Sequence, residues 1–347
     1  MSDGIHVALV GATGAVGEMM RRLLLERRFP LASIKFLASE RSTGKPIELA
    51  GKTYAVEPLR PEAFAGVQLV LSSTPAAVSR EWSPVAAKAG AIVVDNSSAW
   101  RMDPDVPLVV PEVNPQTLGR IPKRIVANPN CSTIQMVVAL KPLHDFARVR
   151  RIVVCTYQAS SGKGAKGVFD LERQMQALAR GEPMPHSIAH AAPLAGNVLP
   201  HDWKLGDEGY SEEEWKMIRE TRKILGDETI LVSPTTARVP VHTGHAMAIN
   251  VEFQRAISPE QARELLRKAP GVVVLDDYAK GEVPMPLFAA GRDEVFVGRI
   301  RRDPTVAHGL NLWVVADNLR KGAATNAVQI AEELLRRGLL RNASARS

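Results

Sequence analysis

The stretch Ile5–Phe29, "IHVALVGATGAVGEMMRRLLLERRF", decides how the front of the chain folds. A short β-prone apolar run meets a glycine turn. Beyond it, Met19, Leu23 and Leu24 fall on one side of a helix and Arg21, Arg22, Arg27 and Arg28 elsewhere. This is a strand–turn–helix unit. Gly11, Gly14 and Gly17 space as G-x-x-G-x-x-G, a variant of the dinucleotide fingerprint, in which glycines permit a tight turn and let helix amides approach a pyrophosphate. A turn needing glycine only for packing has the same spacing. The position directly after the first apolar run favours a cofactor site.

Working outward, "SIKFLAS" (33–39), the polar turn "ERSTGK" (40–45), "VQLVLSS" (67–73) with a following helix, and "AIVVDNSS" (91–98) repeat the pattern of a parallel, doubly wound sheet. From about residue 128 long mixed strands, "VRRIVVCTYQAS" and "HAMAINVEF", accompany the helical segments "GVFDLERQMQALARG" and "EEEWKMIRETRKIL", which indicates an α+β second domain. The expected boundaries are 1–128 for the nucleotide-binding domain and 129–318 for the catalytic one. A closing helix, 319–341, returns to cover the first sheet, and the tail 341–347 is expected to fray.

A length of 347 residues suits two domains, and 45% hydrophobic with 23% charged residues is a globular composition. No apolar run reaches the roughly 18 residues of a bilayer crossing, and the N-terminus lacks a signal-peptide layout, so a cytoplasmic protein with no membrane partner is expected. The 44 Lys+Arg and 37 Asp+Glu give +7, but the cations are scattered among acids, which argues against nucleic acid and fits anionic small molecules better. Two cysteines make no disulfide framework.

After the second strand, Ser39, Arg41, Ser42 and Thr43 suit the 2′-phosphate of NADP, whereas Glu40 suits the ribose hydroxyl of NAD. Cys131 stands between "NPN" and an apolar run. If a helix starts there, its unpaired amides and positive end lower the thiol pKa and can hold an oxyanion; an inert buried thiol is the alternative. Pro142 is expected to kink or end that helix. Cys155, within "RIVVCTYQ", is expected in the core. Arg238, His242 and His245 precede a strand: an imidazole near Cys131 would move the thiol proton, and the planar fork of Arg238 would grip a carboxylate. No metal is expected, because the histidines lack a third ligand at zinc-like spacing. Gln158 lies at a strand end before a glycine-rich turn, and Arg101 is a candidate anion contact.

In this order and spacing, "GATGAVG", "NPNCST", "QASSGKG", "RVPVHTGH" and "GLNLWVVADNLRKGAATNAVQIAE" closely resemble the bacterial aspartate-semialdehyde dehydrogenases, from about residue 5 to 340. The resemblance implies a Rossmann-like NADP-binding domain and an α+β catalytic and dimerisation domain with a mixed sheet. It implies NADPH-dependent reductive dephosphorylation of aspartyl 4-phosphate to aspartate 4-semialdehyde, serving lysine, methionine and threonine synthesis. By position, Cys131 would be the thioester nucleophile, His245 the acid/base and Gln158 the orienting group. Arg238 would hold the substrate carboxylate, Glu213 its ammonium, and Arg101 and Lys216 its phosphate, with Asn130 a further substrate contact. Gly11, Thr13, Gly14, Ala15, Val16, Gly17, Ser39, Arg41, Ser42, Ser161, Gly162 and Asn318 would line the NADP pocket, and the active site would lie between the domains.

Such enzymes are usually homodimers, sometimes paired into tetramers, and "VRRIVVCTYQAS" is a candidate interface strand. Lys163, Ala246-Met247 and Gly196 depart from the expected pattern. N-acetyl-glutamyl-phosphate reductase is the nearest rival, though Asn130 and Ser132-Thr133 disagree with its nucleophile motif; a catalytically silent homologue is the other.

Overall fold

The computed structural model describes residues 4–200 and 205–340, so the tail 341–347, including the last residue of the expected closing helix, lies outside the described residues. The chain divides into two compact units, Met1–Pro129 with Ala323–Ser347, and Asn130–Gly322.

In the first unit, β1 (Ile5–Val10) leads through the glycine turn into α1 (Ala15–Glu26) and β2 (Leu31–Ala38). A small hairpin, β3 (Pro46–Leu49) and β4 (Lys52–Ala55), precedes the two-residue β5 (Glu57–Pro58). Then come β6 (Leu69–Ser72), α2 (Ala76–Lys88), β7 (Ile92–Asp95) and β8 (Ile125–Ala127). The main sheet is parallel throughout, in the order β5-β2-β1-β6-β7-β8. The chain winds outward from β1 in one direction, then crosses to β6 and winds in the other. The glycine turn therefore sits at the carboxyl end of β1, where the strand order reverses, the usual place for a ligand crevice in such sheets. Gly11 is required there: its φ is +81°, and a Cβ would lie 2.2 Å from the Ser73 carbonyl oxygen.

The second unit opens with α3 (Cys131–Ala147), β9 (Val149–Gln158), α4 (Gly164–Arg180), α5 (Glu212–Leu225) and β10 (Leu231–Arg238). It continues with β11 (His245–Phe253), α6 (Pro259–Lys268), β12 (Val272–Val274), the single turn α7 (Pro286–Ala289), β13 (Val295–Arg302) and β14 (Gly309–Ala316). The sheet is mixed, in the order β10-β9-β11-β14-β13-β12, with parallel outer pairs and antiparallel central ones. Helix α3 packs on one face and is buried without interruption from Ser132 to Leu140.

Of the two outcomes expected at Pro142, ending the helix does not occur: α3 continues to Ala147, because burial on nearly every side outweighs one lost backbone bond. Cys155 is only part-buried, because alternation along β9 turns Arg151, Val153, Cys155 and Tyr157 away from α3, onto a face that stays partly exposed.

After a π-helical turn, Arg320–Ala324, helix α8 (Thr325–Arg336) returns to the first unit. Ala327, Val328, Ile330, Ala331 and Leu334 pack with Met20, Leu23 and Leu24 of α1 and with Val7, Leu9, Leu69, Leu71, Ile92 and Val94 of the sheet. Arg27 adds a two-pronged bond to Glu332, at 2.8 and 2.7 Å. Among the described residues no helix is long and apolar enough to cross a membrane.

At the end of α8, Glu333 accepts from Arg336 at 2.7 and 2.6 Å and from Arg337 at 2.6 Å. The Arg336 hydrogen bonds lead in holding its carboxyl down, from 4.5 to about 2. Because the folded value is depressed, the stabilisation is present above about 4.5 and is lost as pH falls through about 2. We expect Glu333→Gln to cost about 1 kcal/mol at neutral pH, most of the pairing being screened by water, and its urea midpoint to converge on the wild type's at the acid end. A constant difference across the acid range would refute the assignment.

Candidate active site

At the nucleotide end, Thr13 and Gly14 are exposed at the turn, Ala15 and Val16 begin α1 half-buried, and Gly17 is buried against the Gly11 carbonyl. Gly14 caps α1 with no side-chain hydrogen bond, so the amides of the first turn remain available to an anion. Ser39 precedes a 3-10 turn, Glu40–Ser42, in which Arg41 is exposed and Ser42 half-buried. Glu40 lies 3.6 Å from Arg60, with both side chains largely in solvent. The acid is thus engaged by a neighbouring cation, which leaves Arg41 as the charge beside Ser39 and Ser42. These groups fit a phosphorylated nucleotide.

Arg101 also belongs to the first unit. Its Nε donates to the Asn128 carbonyl at 3.0 Å and Nη2 to the Asn96 carbonyl at 2.8 Å, just beyond the ends of β8 and β7. Asn128 in turn donates to Asn96 at 2.7 Å and accepts from Asn326 at 2.6 Å. The buried guanidinium is therefore fixed at the carboxyl edge of the parallel sheet.

The thiol end lies in the second unit. Cys131 is the first residue of α3, and Asn130 is its cap: Oδ1 accepts from the amides of Ser132 (2.9 Å) and Thr133 (3.2 Å). The cap's Nδ2 donates to Glu213 Oε1 at 2.8 Å, and its backbone N–H donates to buried Glu220 at 2.7 Å. Gln158, at the end of β9, brings Nε2 to Ser132 Oγ (3.1 Å), Thr156 Oγ1 (3.3 Å) and Glu213 Oε1 (3.3 Å). Lys216 stands one turn along α5, with Nζ 2.9 Å from Glu212 and 3.7 Å from Glu213. Asn130, Cys131, Gln158, Glu213 and Lys216 thus converge through direct contacts or adjacency.

Arg238 and His245 form the neighbouring group. Gly244 takes φ +98° before β11, a turn that delivers the His245 ring into full burial. Arg238 Nη1 donates to the Ala159 carbonyl at 2.7 Å, and the Ala159 amide donates to His245 Nδ1 at 3.0 Å. A Cβ on Gly162 would stand 2.6 Å from Arg238 Nη1 and 3.5 Å from His245 Nε2, so the glycine lets the loop lie against both. Asn318 exchanges hydrogen bonds with Ser161 and accepts from the Gly244 amide at 2.9 Å. His242 instead has its ring near Glu172, at 3.7 Å on the surface.

Of the departures, Gly196 adopts φ +69°, which a β-substituted residue tolerates poorly. Ala246 and Met247 are buried in the sheet, and Lys163 ends the 3-10 turn Ser160–Lys163. Sequence reasoning does not find Glu220, Ala159 or the brace on the loop before Gly162, in which Ser160 Oγ meets the Gly167 carbonyl at 2.5 Å and His190 Nε2 at 3.0 Å. Glu220 had a signal: seven residues after Glu213, it shares a helix face. Ala159 had none, because it acts through its backbone.

Residues 6–121 match the family model described as semialdehyde dehydrogenase, NAD binding domain, and residues 140–321 match its dimerisation domain. The aspartate-semialdehyde dehydrogenase of Aquifex aeolicus is 54% identical over 97% of this chain and 100% of its own. Aspartate semialdehyde dehydrogenase II from Vibrio cholerae, solved complexed with ASA, superposes at TM-score 0.93 with 46% identity, covering 96% of this chain and 99% of that one. The Candida albicans enzyme, solved with NADP, gives 0.76 with 26% identity over 97% and 99%. Matched in both units and along nearly its whole length, the chain belongs to the aspartate-semialdehyde dehydrogenase family.

Proposed function

We propose that this protein reduces L-aspartyl 4-phosphate to L-aspartate 4-semialdehyde with NADPH and release of phosphate, through a thioester on Cys131, as a step toward lysine, methionine and threonine. The observation that carries the reading is the capped start of α3, where Cys131 sits at the positive end of a buried helix beside Gln158 and Glu213.

The thiolate is favoured by the helix amides and attacks the acyl carbon; phosphate leaves, and a thioester remains. Arg238 supplies a planar fork for the substrate carboxylate, and Glu213 an acceptor for its ammonium. Arg101 and Lys216 supply cations for the departing phosphate. Gln158 orients the acyl oxygen, with Asn130 as a further contact. His245 is the general acid/base that moves protons at the thiol and at the reacting oxygen. Bound NADPH supplies the hydride that reduces the thioester. Arg41 with Ser39 and Ser42 favours the 2′-phosphate form, and Gly11, Thr13, Gly14, Ala15, Val16 and Gly17 bring α1's amides to the pyrophosphate. The resemblance adds Ser161, Gly162 and Asn318 as cofactor contacts.

The protein acts as a homodimer in this reading. The partly exposed face of the mixed sheet, with Tyr157 at 36% and Leu231 at 53% exposure, supports that, as does the match to a dimerisation domain. A reaction using NADPH and a thiolate suits the reducing cytoplasm.

The test is the reverse assay: phosphate and NADP with aspartate semialdehyde or N-acetylglutamate semialdehyde, following reduced cofactor. Aspartate semialdehyde should react; preference for the acetylated substrate would sink the reading. Cys131→Ala should abolish turnover with NADP binding intact, and activity within about tenfold of wild type would exclude the covalent route. Arg238→Lys should raise the substrate KM by about tenfold or more, since an ammonium offers no bidentate contact; an unchanged KM would count against the carboxylate role.

A further inference from the structure

Gly322 stands in the π-helical turn Arg320–Ala324 and is buried, yet its φ is not positive, so the usual backbone reason for a glycine is missing. A neighbour across space supplies another. A Cβ at this position would lie 3.0 Å from the Cβ of Cys131, inside the roughly 3.5 Å at which two carbon atoms pack best. The next atoms it would meet, the Cys131 Cα and the Asp317 carbonyl oxygen, stand at 3.5 Å, an ordinary contact. Alanine suits a helical backbone better than glycine. What opposes it here is the side chain of Cys131. The turn is also held in place. Asp317, buried just after β14, accepts from the Leu319 and Arg320 amides through Oδ1, at 2.8 and 3.0 Å, and from the Gly291 amide through Oδ2, at 2.7 Å. Its carbonyl takes the Gly322 N–H at 3.0 Å, the five-residue reach of a π turn, and Arg320 Nε donates to Asp293 at 2.8 Å.

We propose that Gly322 is a positioning residue for the thiol: the turn braced by Asp317 is a stop against which the Cys131 Cβ rests, leaving one torsion, χ1, to place the sulfur. This rests on the function proposed above, in which that sulfur must reach the acyl carbon, carry it as a thioester and present it to the hydride. Cys131 is then held twice, through its backbone by the Asn130 cap and through its Cβ by the π turn. A bare Cα at the contact lets the stop stand close without pushing Cβ out of line. A methyl group would force Cβ or the turn to give by a few tenths of an ångström. Misplacement by about 1 Å can cost about a hundredfold in rate, so a few tenths should cost about threefold to tenfold.

Urea unfolding of the full chain reads the contact without substrate. Gly322→Ala should lower the midpoint equally in the wild-type and Cys131→Ala backgrounds, since both keep that Cβ. In the Cys131→Gly background, where the Cβ is gone, it should leave the midpoint unchanged or raise it. The same loss in all three backgrounds would show the methyl striking something other than Cys131 and would overturn the proposal. If Gly322→Ala does not fold alone, its folding in the Cys131→Gly background upholds the stop, and failure there too overturns it. Positioning is read separately from packing. In Gly322→Ala, iodoacetamide should alkylate Cys131, resolved from Cys155 by peptide mass mapping, at least about threefold more slowly, because the sulfur is drawn off the amides of α3. In the reverse assay kcat should fall about threefold to tenfold, with the KM for the semialdehyde within about twofold of wild type. Wild-type alkylation together with wild-type kcat would leave Gly322 a packing residue and defeat the proposal. Unfolding and alkylation use no substrate, so a protein that turned over no semialdehyde would sink the proposed function and leave both results standing.

Discussion

Asn130 is committed at every polar atom on which the position of Cys131 depends. Its oxygen closes the first turn of α3, its nitrogen reaches Glu213, and its backbone N–H reaches Glu220. A helix cap alone is worth about 1 kcal/mol. Here the cap is also a buried hydrogen-bond hub, and its loss would strand two helix amides along with a partner of two carboxylates, a larger penalty than the cap itself. Cys131 is therefore held by α5, a separate element, as much as by its own helix. Two glutamates seven residues apart supply that hold, one at each side of the cap.

The mixed sheet explains why so many of the candidate side chains gather at one edge. β9 and β10 run parallel and end in register, Gln158 opposite Arg238. β11 runs the other way, so its first residue, His245, arrives at the same edge, while β14 ends beside it with Ala316 opposite His245. Asn318 follows directly and ties Ser161 to Gly244. A wholly antiparallel meander would alternate starts and ends at this edge and separate Gln158 from Arg238. Parallel pairing of β9 with β10 removes that separation, and α5, packed on β10, brings Glu213 along.

How much of this was legible in the sequence depended on whether side-chain periodicity carried it. The β1–turn–α1 unit and α5 were, because apolar spacing and capping residues agree with burial there: Leu23 and Leu24 are fully buried, and Ser211 with Glu214 closes a capping box. The β3–β4 hairpin was not, since four-residue strands with exposed alternate positions leave little pattern. Cys155 misled because apolar β9 reads as core on both faces, and only the sheet's coverage distinguishes them. The site was half legible. Cys131 beside a capping asparagine and His245 after a glycine are local signals, but bringing them into one site required either motif order along the whole chain or the strand register.

Ala159 shows why the remainder could not be read. Its methyl group does nothing distinctive, yet its N–H meets an imidazole and its C=O a guanidinium. The choice of a backbone amide over a carboxylate as the imidazole's partner has chemical content. A carboxylate would demand a proton on Nδ1. An amide hydrogen makes Nδ1 the acceptor instead. Beside Arg238 a carboxylate would also be drawn to the guanidinium, which the amide is not. A single residue with no reactive side chain thus positions both the guanidinium and the imidazole through its backbone alone.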